Sequence, residues 1–139
     1  MTAENQQALT VCIDTIESSY EYMLAYAAQG REKENTGGDG PGIRGYLENL
    51  DAAVGILPEV LGTHVPAEAG ESQLGVTAFL GVLERDSSSA RRAIQLVLSL
   101  PQISSRVVDN LNASAHVRTL LTDMFLADEA LKSLQATVE

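Results

Sequence analysis

Large rings are nearly missing from this chain: there is no Trp, and four Tyr and two Phe bring aromatics to only 4%. A core without them has to be filled by Leu, Val, Ile and Ala, a mix that suits interdigitated helices. Cysteine is almost absent too. The single Cys12 excludes an intramolecular disulfide and a Cys-rich zinc site. It sits beside an apolar stripe, so it reads as a buried, inert thiol. Basic residues are scarce, 9 Lys and Arg against 19 Asp and Glu, for a formal charge of −10. That balance argues against nucleic-acid binding, which needs clustered Lys and Arg to neutralise phosphates. It argues equally against an anionic membrane surface, and it permits a basic protein partner. No apolar run approaches the ~20 residues that cross a bilayer, and MTAENQQ at the start lacks the basic and apolar regions of a signal peptide. A cytoplasmic chain is the expectation. Strict apolar–polar alternation is also missing, so no strand is predicted.

What is present is helical rhythm. At 139 residues, 45% of them hydrophobic, the chain is long enough for one domain spanning 1–139. Leu9, Ile13, Ile16, Tyr20, Met23 and Ala27 recur in alternating steps of four and three, one stripe along a helix over about 4–29. Gly30 is its stop. Residues 32–42, EKENTGGDGPG, have four glycines and no period, and read as a flexible loop. A second stripe runs through Ile43, Leu47, Leu50, Val54, Leu57 and Leu61, with Pro58 predicted to kink it or start a short new turn. The third is Val76, Leu80, Leu83, Ser87, Ala90, Ile94 and Val97, from a cap at Ser72. It reads as one long helix, or as two with a cap within Asp86–Ser89. Pro101 is expected in the first turn of the next helix, with Ile103, Val107, Val108 and Leu111 as its short face. A break is expected around Asn110–Ser114. The last stripe is Val117, Leu120, Met124, Ala127, Leu131, Leu134 and Val138. Four long amphipathic segments predict an all-α, up-down four-helix bundle, with one helix kinked or broken.

Catalytic patterns are hard to find. A di-iron carboxylate site in such a bundle uses Glu-x-x-His on two helices. The two histidines, His64 and His116, are preceded at that spacing by Leu61 and Ala113. A carboxylate-only variant would draw on Glu17, Glu48, Asp51, Glu84 and Asp128, which fall at similar heights but beside the stripes. There is no P-loop and no GxGxxG. Cys12 has no positioned histidine to activate it, as both histidines fall at predicted breaks. Asp14, Glu17 and Glu21 make an acidic line on the first helix, either a wetted surface or a strip for a basic partner. Tyr22 and Tyr26, four residues apart and off the stripe, suit an interface, or else pack on a loop of their own chain.

YEYMLAYAAQGR at 20–31, together with IRGYLENL at 43–50, resembles small ferritin-like proteins described as bacterioferritin-related and encoded beside bacterial carboxysome genes. The resemblance covers about a third of the chain. It implies a four-helix fold, a cytoplasmic setting, self-association, and either iron binding or a partner in the Rubisco compartment. Without the Glu-x-x-His motifs, it carries over no metal ligands. The expected role is therefore a non-catalytic bundle that forms homo-oligomers or binds another protein. Tyr22 and Tyr26 would form the contact, and Glu17 and Glu21 its acidic rim. The alternative is carboxylate iron binding through Glu17, Glu48, Glu84 and Asp128.

Overall fold

The computed structural model describes residues 2–34, 40–67 and 70–138, with backbone only for 137–138. Among these residues there are five helices and no strand. The predicted all-α class holds, but the helices number five where four were predicted. Most of the glycine-rich loop, 35–39, and the side chain of Val138 lie outside the described residues.

The first helix, α1, spans Ala3–Ala27. Thr2 caps it: its Oγ1 accepts from the Asn5 N–H at 3.1 Å. That cap settles the first turn, which sequence pattern alone leaves to fray. Gly30 comes next at φ +66°, a conformation that costs glycine nothing. The second helix, α2, runs Gly42–Gly62 as one helix with Pro58 inside it. A proline removes a single helical N–H and need not end a helix whose apolar seam is held by neighbours. The third, α3, is continuous over Glu71–Leu98 and crosses Asp86–Ser89 without a break.

Beyond α3 the chain departs from expectation. Pro101 stays in the connecting segment, and the next helix, α4, spans only Ser105–Ala113. Ser104 is its cap, accepting from the Val107 N–H at 3.1 Å. Ile103, fully buried, plugs the core from the loop. Ala115 then takes a left-handed φ of +68°, and α5 begins at once, His116–Val138. The break is thus two residues, Ser114 and the left-handed Ala115, placed where Asn110, Asn112 and Ser114 weaken the pattern.

Helix α1 packs on α2, α2 on α3, and α3 on α5, while α4 packs mainly on α1 and touches α3 and α5. The first two contacts are antiparallel. Cys12 meets Ala53 and Tyr22 meets Tyr46 across α1 and α2. Asp51 meets Arg91 and Arg44 meets Leu98 across α2 and α3. One buried cluster draws Ile16, Met23, Leu47, Leu57, Ile94 and Leu120 from four of these helices, with Val108 and Leu111 from α4.

On α1 the buried seam differs from the predicted one. Leu9, Ile16 and Met23 are inside as expected, but Cys12, Ser19 and Tyr26 are buried with them. Ile13, Tyr20 and Ala27 are only half-buried. The helix is rolled toward α2 by about one residue position.

Candidate docking surfaces

The rolled seam decides the fate of the tyrosines. Tyr26 is 3% exposed and its hydroxyl donates to the Ile103 carbonyl. It is a core residue, which corrects its expected place on an open contact face. Tyr22 is half-buried and stacks on Tyr46, with ring centroids 4.0 Å apart and planes 13° off parallel. Both rings therefore pack on their own chain. Glu17 is half-buried and Glu21 exposed, and neither makes an ion pair among the described residues.

Around Tyr26 the polar groups satisfy one another. Ser105 Oγ donates to the Tyr26 carbonyl and accepts from the Arg31 N–H. Glu34 takes Arg44 in a fork, at 3.0 and 2.9 Å, and also accepts from the Ile103 N–H. Arg44 donates as well to the Leu98 and Leu100 carbonyls, at and just beyond the end of α3. The guanidinium beside Glu34 holds its carboxyl below the usual range. This cluster ties the segment after α1 to the α3–α4 connection, and its donors already have acceptors.

The alternative metal set is not assembled. Glu17, Glu48, Glu84 and Asp128 stand on four different helices. Asp128 pairs with Lys132 at 3.0 Å. Among the described residues no three or more His, Cys, Asp or Glu side chains come together as a metal would need. His64 is buried, its Nδ1 close to Thr63 Oγ1 and the Val60 carbonyl, and His116 is exposed at the start of α5. Cys12 donates to the Ala53 carbonyl at 3.3 Å, and burial pushes its thiol up to about 11. No described helix is long and apolar enough to cross a membrane.

Two grooves stand out instead. The first, about 750 Å³, lies between α1 and α2. Ala8, Cys12, Ala52 and Ala53 line it together with Val11 and Ile56, which are 56% and 51% exposed. Small alanines keep the floor shallow while the two larger side chains stand at its walls. Glu4 lines the same groove, and Asp14, Glu48 and Glu59 are exposed one turn away along the two helices. Helix α1 carries no Lys or Arg, and the single one on α2, Arg44, is engaged by Glu34.

The second groove, about 580 Å³, lies between α3 and α4. Its apolar part is Ala93, Leu96, Val97, Val107 and Leu111, with Leu96 66% exposed. Arg92 and His116 line it, and Arg85 and Arg106 are exposed on flanking turns. None of these arginines makes an ion pair among the described residues. Asp109 is the acid nearest along α4. Since α1 contacts α2, α2 contacts α3, and α4 contacts both α3 and α1, the two grooves occupy opposite sides of the ring of helices.

Sequence reasoning passed over Val11, Ile56 and Leu96. The signal was available, since each is a large apolar residue off its helix's stripe. It also passed over Asp123, 9% exposed on α5, whose carboxyl is pushed up to about 7 by burial and by its hydrogen bond and charge contact with Asp86. Its Oδ2 has no donor among the described residues. Comparison with protein-family models, with curated proteins and with solved structures finds no match.

Proposed function

We propose that this chain works by assembling with copies of itself, head to tail, in a non-catalytic role. The α1–α2 groove of one copy takes the α3–α4 face of the next. The observation that carries this reading is the pairing of opposites. An apolar groove lined by Glu4, with Asp14, Glu48 and Glu59 on flanking turns, lies across the molecule from an apolar groove lined by Arg92, with Arg85 and Arg106 on flanking turns. Exposed Val11 and Ile56 would bury against Leu96 and Val107, which removes apolar area from water. The charged rims give orientation and speed of encounter more than affinity. Two like copies of the acidic groove would repel, so an isologous dimer through that face is disfavoured. A heterologous contact continues until it closes into a ring or grows as an open array. In this reading α4 and α5 together stand as the fourth member of an up-down four-helix bundle. The acidic composition and single buried thiol suit a cytoplasmic setting.

The test uses two surface variants. Val11→Asp with Ile56→Asp disables one face, and Leu96→Asp disables the other. Each variant alone is expected to be monomeric by light scattering, with helicity unchanged. Mixed, they retain one good face each and are expected to form a dimer that cannot extend. Adding salt should weaken wild-type assembly, because exposed charges are screened over about 8–10 Å at 0.1–0.15 M. A wild-type protein that stays monomeric at high concentration refutes the proposal. So does a Leu96→Asp variant that assembles like wild type.

A further inference from the structure

The serine run on α3 contains a buried hydroxyl without a partner among the described residues. Helical serines commonly return their hydroxyl to the carbonyl four residues back. Ser87 does not: it is 4% exposed, and its Oγ has no partner among the described residues. A buried hydroxyl left unpaired is destabilising. Ser87 lines a cleft of about 370 Å³ between α2 and α3, along with Ser88, Arg91 and Arg92.

The other side of the cleft is Gly55. A Cβ built there would fall 2.7 Å from Arg91 Nη1, so a side chain at 55 would make the guanidinium shift from its place against α2. Asp51 fixes that guanidinium from the far side. It accepts from Nε at 2.9 Å and from Nη2 at 3.4 Å, and it accepts from Gln95 as well. Nη1 is left over, with no acceptor among the described residues. Arg92 has no ion pair among them and lines the same cleft. The cleft therefore collects a preorganised N–H, a buried O–H without an acceptor, a second hydroxyl and a second guanidinium. All are donors suited to one acceptor group.

We infer that this cleft is a binding site for a small ligand bearing an oxyanion, a carboxylate or a phosphate. Arg91 Nη1 and Ser87 Oγ hold the oxyanion, and Arg92 closes over it. Glu84, exposed at the rim, keeps the net charge of the lining low. Recognition thus rests on directed donors, which a charge-assisted hydrogen bond makes strong. Ser87 and Gly55 belong to neither docking groove, while Arg92 lines the α3–α4 groove as well, so anion binding and self-association share that one residue.

Calorimetric titration with inorganic phosphate, and separately with acetate, at constant ionic strength tests it. Saturable one-to-one binding of either anion is expected, and whichever binds tells the ligand class. Ser87→Ala should weaken that binding about tenfold, the loss of one hydrogen bond to a charged group. It should leave thermal stability without ligand equal or higher, since an orphaned hydroxyl is gone. Gly55→Ala should weaken binding by shifting Arg91, with the helical signal retained. No saturable heat from either anion overturns the inference, as does unchanged affinity in Ser87→Ala.

Discussion

Replacing Asp123 by Asn should stabilise this protein at neutral pH and change the shape of its pH dependence. In the native chain Asp123 is buried on α5 against Asp86 of α3. Burial is the larger reason its carboxyl is pushed up to about 7, and the hydrogen bond and charge of Asp86 add to it. Unfolded, the group ionises at its ordinary value of 3.8. Between those two values the native state binds a proton that the unfolded chain has released. Stability from this site is therefore complete below about pH 4 and is lost as pH rises to about 7. Three pH intervals at 1.36 kcal/mol each give a loss of about 4 kcal/mol, and relaxation around the pair brings the realistic figure to about 2–4 kcal/mol. Asn keeps the shape, carries no charge, and has an amide N–H to donate to the Asp86 carboxylate. Urea denaturation monitored by helical circular dichroism, at pH 4.5, 6 and 8, isolates the effect as the difference between variant and wild type. The gain should be small at pH 4.5 and reach about 2–4 kcal/mol at pH 8. Parallel pH profiles, or a variant less stable than wild type at pH 8, would show that burial against Asp86 does not raise the Asp123 carboxyl.

Three further outcomes rest on particular contacts. Tyr26→Phe leaves the buried Ile103 carbonyl without its donor and should cost about 1–2 kcal/mol in urea denaturation. A loss below about 0.3 kcal/mol would mean that water replaces the hydroxyl there. Ala115→Gly relieves a left-handed φ of +68° between α4 and α5 and should raise stability by about 0.5–1 kcal/mol; a lower melting temperature would argue that the break is not strained. Cys12, with its thiol raised to about 11 and bonded to Ala53, should resist a disulfide reagent at pH 8 in native buffer and react fully in urea. Equal rates in the two conditions would contradict its burial.

The helices themselves were legible in the sequence. Their period determined the all-α class, and the α2 stripe from Ile43 to Leu61 is buried throughout. The same holds for Val117, Leu120, Met124, Ala127 and Leu131 on α5. Local pattern suffices for these because an apolar face on a helix has to be covered, whatever covers it. On α1 two seams share Leu9, Ile16 and Met23, one running through Ile13 and Tyr20, the other through Cys12, Ser19 and Tyr26. Hydropathy favours the first, yet α2 lies over the second. Only the neighbour's position chooses between flanks so close in angle, and that choice took Tyr26 from surface to core. Likewise Asp123 is buried against Asp86, 37 positions away, and Ser87 becomes an orphan in the cleft beside Gly55, because α3 is packed between α5 and α2. Periodicity along one helix reports how much of it must be buried. Which side chains end up facing each other depends on the rotation of two helices, and that is set by the packing of the whole ring.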